Sequence, residues 1–189
     1  MTDKQETIQN ILQATDLVEA IRFHGHMCPG LAIGYRAAKI ALEKLGTTRA
    51  EDEELIAIVE NDSCSTDAVQ WLTGCTFGKG NFIFRDYGKQ VFTFAIRPTG
   101  WAVRIALKMN HMRQEESAEP DRETKMRHIL SAPIEDVFDI KETTIVLPMP
   151  AQIHDSVACE NCGEGVMATR TVKLAGRTLC IPCSREHEI

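Results

Sequence analysis

Two Cys-x-x-Cys pairs near the C-terminus constrain the fold more than any other feature. Cys159-Glu-Asn-Cys162 and Cys180-Ile-Pro-Cys183 are separated by seventeen residues, a spacing that belongs to four-thiolate zinc sites. Each pair can form a knuckle whose sulfurs and turn amides face one ion, and four soft thiolates in a tetrahedron suit Zn²⁺. About 35 residues cannot bury enough apolar surface to fold unaided. The metal would therefore supply the core that Val166, Val172, Leu174 and Leu179 cannot. Four-thiolate iron and two unrelated reducing thiol pairs are the alternatives. Asp155, Glu160, Glu164, Glu186 and Glu188 outnumber Arg170, Lys173, Arg177 and Arg185 by one. Four thiolates on Zn²⁺ add about −2 more. A phosphate backbone would find little to attract it, so the module reads as structural or as a protein-contact surface.

The rest of the chain must hold the main core. With 189 residues, 43% apolar and 25% charged, and a formal net charge of −6, it has the composition of an ordinary globular protein. That size allows one complete core and a small satellite. Disordered, collagen-like and coiled-coil classes are excluded. Met1 to Asn10 is polar and charged rather than basic-then-apolar, so no secretory signal is visible. The longest uncharged stretch, near Phe23 to Tyr35, falls short of the roughly 18 apolar residues of a membrane span. A reducing cytoplasm is the expected compartment, where cysteines bind metal or do chemistry more often than they form disulfides. The odd count of seven cysteines agrees. The acidic balance argues against a nucleic-acid or anionic-membrane surface.

Apolar periodicity predicts a helix over Asp3 to Arg22, and a second from Pro29 to a stop at Gly46. Leu55 to Val59 reads as a buried strand and Asp67 to Thr73 as a short helix. Phe82 to Arg85 and Val91 to Arg97, joined through Asp86-Tyr-Gly-Lys89, read as a β-hairpin. A helix is expected from Trp101 to about Glu116, another from Asp121 to Leu130, and a last strand from Thr143 to Leu147. Pro148-Met-Pro150 marks a linker. The order of elements predicts an α+β core domain over residues 1–150, a small mixed or antiparallel sheet packed by helices. A zinc-finger module follows over 151–189.

His24, His26 and Cys28 alternate with Gly25 and Met27. In an extended segment that alternation puts both imidazoles and the thiol on one side. Pro29 favours extension before it and places Cys28 at a helix N-terminus, where unpaired amides stabilise a thiolate. These donors suit a transition metal. Cys64, just past the carboxyl end of the Leu55 strand, is the expected fourth contributor, with Asp62 near enough to be a ligand, a His partner or a proton acceptor. The competing reading is an inert buried thiol and hydrogen-bonded core histidines. Gly74-Cys-Thr-Phe-Gly78-Lys-Gly-Asn81 lacks Walker A spacing. What remains is a loop with exposed amides and one cation, Lys79, able to hold an anion, or simply a turn. Cys75 is an accessory thiol or packed. His111 and His128 read as structural or solvated.

Taken together, Phe23-His-Gly-His-Met-Cys-Pro-Gly30, Asn61-Asp-Ser-Cys64 and Leu72-Thr-Gly-Cys-Thr-Phe-Gly-Lys-Gly-Asn81 resemble the FmdE family of formylmethanofuran dehydrogenase proteins. The resemblance implies an α+β core, a homodimer and a metal-associated cleft, with a treble-clef-like zinc finger appended. It also implies an association with the molybdenum or tungsten enzyme that interconverts CO₂ plus methanofuran and formylmethanofuran. His24, His26, Cys28 and Cys64 match the family's site, while Asp62, Cys75 and Lys79 match its flanking motifs.

The resulting expectation is two metal sites of different character. Cys159, Cys162, Cys180 and Cys183 hold structural Zn²⁺. His24, His26, Cys28 and Cys64 hold Zn²⁺ or another transition metal, with Cys28, Asp62 and Lys79 as the reactive set. There the metal would polarise a carbonyl or activate water, Asp62 or a free His would move a proton, and Lys79 would steady an anion. The alternative is a non-catalytic accessory protein that delivers or senses a metal for a partner oxidoreductase. A DNA-binding finger protein is the third reading.

Overall fold

The computed structural model describes residues 9–109 and 121–185, in two units, Met1–Pro150 and Ala151–Ile189. In the first unit the N-terminal amphipathic stretch forms two pieces rather than one. Residues 9–12 are helical, and a fresh helix, α1 (Thr15–His24), begins after Ala14 adopts ψ 129°. Asp16 accounts for the restart. A first-turn carboxylate favours a helix N-terminus, and its Oδ1 accepts the Leu17 amide at 2.9 Å. The expected helix before residue 9 lies outside the described residues. Gly25, at φ 99°, ends α1. Helix α2 (Pro29–Leu45) carries Pro29 in its first turn and ends at Gly46 in the left-handed region, as the punctuation predicts.

Five strands form one mixed sheet: β1 (Leu55–Val59), β2 (Phe82–Phe84), β3 (Val91–Ile96), β4 (Trp101–Leu107) and β5 (Phe138–Thr144). Their order is β2-β1-β3-β4-β5. Helix α3 (Ser65–Thr73) lies between β1 and β2, and α4 (Arg122–Ser131) and α5 (Ile134–Val137) precede β5. The α+β architecture, a mixed sheet packed by helices, is therefore as expected. Leu55, Ala57 and Val59 of β1 alternate toward a core shared with Phe92, Phe94, Val103 and Ile105 and with Leu31, Ala38 and Ala41 of α2.

Three local expectations are corrected. The Phe82 and Val91 runs do not form a hairpin: β2 pairs in parallel with β1, and β3 pairs antiparallel on β1's other side. The chain between them wraps the end of β1, where the Arg85 amide bonds Val59 O at 2.8 Å and the Lys89 amide bonds Glu60 O at 2.8 Å. Trp101 to Leu107 is a strand, not the start of a helix; its hairpin partner is β3, joined through Gly100 at φ 69°. The Val103 and Leu107 spacing fits a period of two as well as 3.6, and the turn decides. Residues 110–116 of that expected helix, and His111, lie outside the described residues. The last strand begins earlier than Thr143, at Phe138, to pair along the length of β4.

In the second unit, β6 (Ser156–Ala158) and β7 (Gly165–Met167) form one hairpin, and β8 (Thr171–Leu174) and β9 (Arg177–Cys180) another. The two-residue turn of the second uses Ala175 and Gly176, both at positive φ, the geometry that a tight hairpin requires. Helix α6 (Ile181–Arg185) follows. The buried residues of this unit's cluster are Cys159, Leu179, Cys180 and Cys183, with Val166 packed against them.

Candidate metal centres

The core centre is assembled from three helix ends. His24 closes α1, Cys28 is the N-cap of α2 and Cys64 is the N-cap of α3. One donor atom from each lies within 4.8 Å of the others. Cys28 adopts φ −151°, the extended conformation that a following proline imposes. Its Sγ accepts the Leu31 amide at 3.3 Å, which fixes the sulfur at the head of α2. The α2 and α3 helices meet through glycine. A Cβ on Gly30 would lie 3.0 Å from Cys64 Cβ, and one on Gly34 would collide with the Ser65 carbonyl. The close approach of α2 and α3, which brings Cys28 and Cys64 together, requires glycine at position 34 and is tight at position 30.

A polar network holds the Cys64 turn from beneath. Buried Asn61 accepts through Oδ1 from the Ser63 hydroxyl at 2.8 Å and the Ser65 hydroxyl at 3.0 Å, and donates to Lys89 O at 2.9 Å. Gln90 ties the network to the sheet by donating to Ser63 Oγ at 2.7 Å. Loss of water pushes the Cys64 thiol above its ordinary range, and the neighbouring Cys28 pushes it further. Two thiols and an imidazole this close form a donor set that a zinc-like cation would satisfy.

Of the four residues expected at the core centre, His24, Cys28 and Cys64 come together and His26 does not join them. The segment is not extended as a whole, since His24 remains helical and Gly25 is left-handed. His26 instead lies against the His24 ring, with centroids 4.7 Å apart. Asp62 is exposed and is not among the grouped donors. The Lys79 ammonium donates to the carbonyls of Ala50, Glu51 and Asp52 at 3.2–3.3 Å. Cys75 is buried, its Sγ donating to Leu55 O at 3.3 Å. Burial pushes that thiol up to about 11. His128 lies on α4 and is not among the grouped donors.

The carboxylate that touches the centre is Asp67, whose Oδ2 lies 2.7 Å from His24 Nδ1. Sequence reasoning used Asp67 only to open a helix. The signal was its spacing: three residues after Cys64 on a helix, it shares that residue's face.

In the second unit the sulfurs of Cys159, Cys162, Cys180 and Cys183 also lie within 4.8 Å of one another. The backbone amides of Cys162, Cys180 and Asn161 lower the Cys159 thiol to about 6. At Cys162 the Glu164 amide pulls the other way, but loss of water and the neighbouring sulfurs outweigh it and carry the thiol up to about 12. Four thiols this close cannot all ionise without a cation among them. The sulfurs and their turn amides fit structural zinc.

The family model for FmdE, described as molybdenum formylmethanofuran dehydrogenase operon, matches residues 23–139. The prokaryotic dksA/traR C4-type zinc finger matches residues 154–188. A probable S-adenosyl-L-methionine-binding protein of Archaeoglobus fulgidus is 33% identical over 199 residues, covering 90% of this chain and 53% of that protein. The chain thus spans about half the length of that curated relative. A tungsten formylmethanofuran dehydrogenase FmdE-like protein from Syntrophus aciditrophicus, known from its crystal structure, shares the fold. Its TM-score is 0.66 at 22% identity, over 96% of this chain and 94% of that one.

Proposed function

The chain belongs to the FmdE family, and from that premise we propose that its core centre is reactive and its finger structural. The protein would work as a cytoplasmic homodimer beside a molybdenum or tungsten oxidoreductase of formylmethanofuran and CO₂ chemistry. The convergence of His24, Cys28 and Cys64 carries this reading. Three protein donors leave a coordination position for substrate or water, whereas four thiolates close a site. A zinc-like ion bound there supplies Lewis acidity toward a carbonyl or water. The chain's own part is to fix the donors. Cys28 is held by the Leu31 amide of α2, the turn around Cys64 by Asn61 through Ser63 and Ser65, and His24 by the end of α1. No anion is assigned to Lys79, whose ammonium is committed to three carbonyls.

Metal analysis of the wild type beside Cys28→Ser and Cys159→Ser tests the proposal. Each substitution is expected to lose a different metal equivalent. Retention of both equivalents by Cys28→Ser would reject the core centre. The second reading, metal delivery to a partner oxidoreductase, draws support from the partial exposure of Cys64, which gives a competing thiol access. Reversible transfer to a chelating partner favours delivery, while tight occupancy with one exchangeable water favours catalysis.

A further inference from the structure

We infer that Asp67 is a positioning residue of the core centre that decides which nitrogen of His24 is presented to the metal; the inference rests on the metal reading above. An ionised carboxylate can only accept hydrogen bonds. With Oδ2 at 2.7 Å from His24 Nδ1, an ionised Asp67 would hold the imidazole proton on Nδ1. Nε2, which lies 3.9 Å from Cys28 Sγ, keeps its lone pair toward the sulfur donors. The His24 side chain is 11% exposed, so water is poorly placed to replace the carboxylate.

The arrangement of α3 supports the assignment. Cys64, Asp67 and Trp71 follow one another at intervals of three and four, and so share one face of the helix. That face grips two consecutive residues at the end of α1: Asp67 holds His24, and Trp71 meets Phe23 with ring centroids 5.8 Å apart. Asp67 and Cys64 are rigidly linked on one helix, so docking His24 on Asp67 also delivers Nε2 to the vicinity of Cys64. A competing role exists. Asp67 lies in the first turn of α3, where a carboxylate stabilises a helix without any reference to His24.

Co²⁺ titration of the full-length protein followed by its visible spectrum distinguishes these roles, using Asp67→Ala, Asp67→Asn, His24→Ala and the Asp67→Ala/His24→Ala double variant. The finger equivalent serves as an internal control for folding. Outer partners of metal-bound histidines contribute roughly 10–100-fold in affinity. A core-site loss of about that size is expected for Asp67→Ala, with an altered spectrum. Asp67→Asn, which keeps an acceptor of the same size, is expected to lose less. On the His24→Ala background Asp67→Ala is expected to change nothing further. Unchanged core affinity and spectrum in both Asp67 variants overturns the inference, as does an equal loss with and without His24. If His24→Ala itself leaves core binding intact, the metal reading fails together with the inference.

Discussion

Burial divides the three thiols of the first unit into two kinds. Cys75 is sealed against Leu55 O and pushed up to about 11, whereas Cys64 is partly exposed at the head of a helix. In metal-free protein at mildly alkaline pH, iodoacetamide is expected to label Cys64 and to spare Cys75 until unfolding. Peptide mass spectrometry reads the order, and early labelling of Cys75 would contradict the burial argument. Lys79 serves as a tethered cation for the carbonyls of residues 50–52. Hydrogen bonds to charged groups contribute about 1.5–3 kcal/mol, so Lys79→Met is expected to lower stability by about that amount while leaving both metal equivalents in place. Asp16 contributes to the acid limb. Burial opposes its ionisation, but the hydrogen bonds from Lys39 and Tyr35 outweigh that and hold its carboxyl below the ordinary range. The folded state therefore binds fewer protons than the unfolded state near pH 4, so this stabilisation is complete above the unfolded value of about 3.9 and is lost as pH falls through the folded value. Asp16→Asn is expected to flatten the acid side of a stability-against-pH curve measured by urea unfolding.

At the scale of elements, what the sequence revealed was what local chemistry decides. Pro29 and Gly46 bracket α2, Asp121 caps α4 by accepting the Thr124 amide at 2.8 Å, and the Cys pairs lie at hairpin and helix ends. The errors came where distant strands decide. Phe82 to Phe84 and Val91 to Ile96 look like neighbours because a Gly-bearing turn joins them, yet β1 lies between them in the sheet. At the centre, the donors His24, Cys28 and Cys64 were legible from residue type. Their carboxylate partner was not, because Asp62 is nearer in sequence while Asp67 faces His24 only through the α1 and α3 contact. The exclusion of His26 needed the knowledge that α1 continues through His24. The small residues of α2 carry a consequence of their own. Gly34→Ala forces a methyl into the Ser65 carbonyl, and overpacking costs about 1–3 kcal/mol. The variant is expected to fold with a core-site metal affinity far below wild type and an unchanged finger equivalent, measured by competition against a chromophoric chelator. Retention of full core affinity would show that α2 and α3 can separate without cost to the centre.

The whole molecule combines two modes of stability. The first unit has a continuous apolar core, while the buried cluster of the second is three of its four cysteines and Leu179, and a unit of that kind depends on an ion. Chelation is expected to erase the hairpin amide signals of residues 156–180 in an NMR spectrum while the strands of residues 55–107 keep theirs. Among the described residues, no helix is long and apolar enough to cross a membrane. The parallel pairing of β1 with β2 carries a further consequence, in time. A parallel pair requires the crossover through α3 to close, and Cys64 lies within that crossover. The core donors come together across that crossover, so the core ion proposed here would enter a receptor shaped by the sheet and its helices. An ion in the finger would instead supply the core that its own unit needs in order to fold. Metals that compete during synthesis would be selected by coordination chemistry alone in the finger, and by the shape of a completed protein in the core.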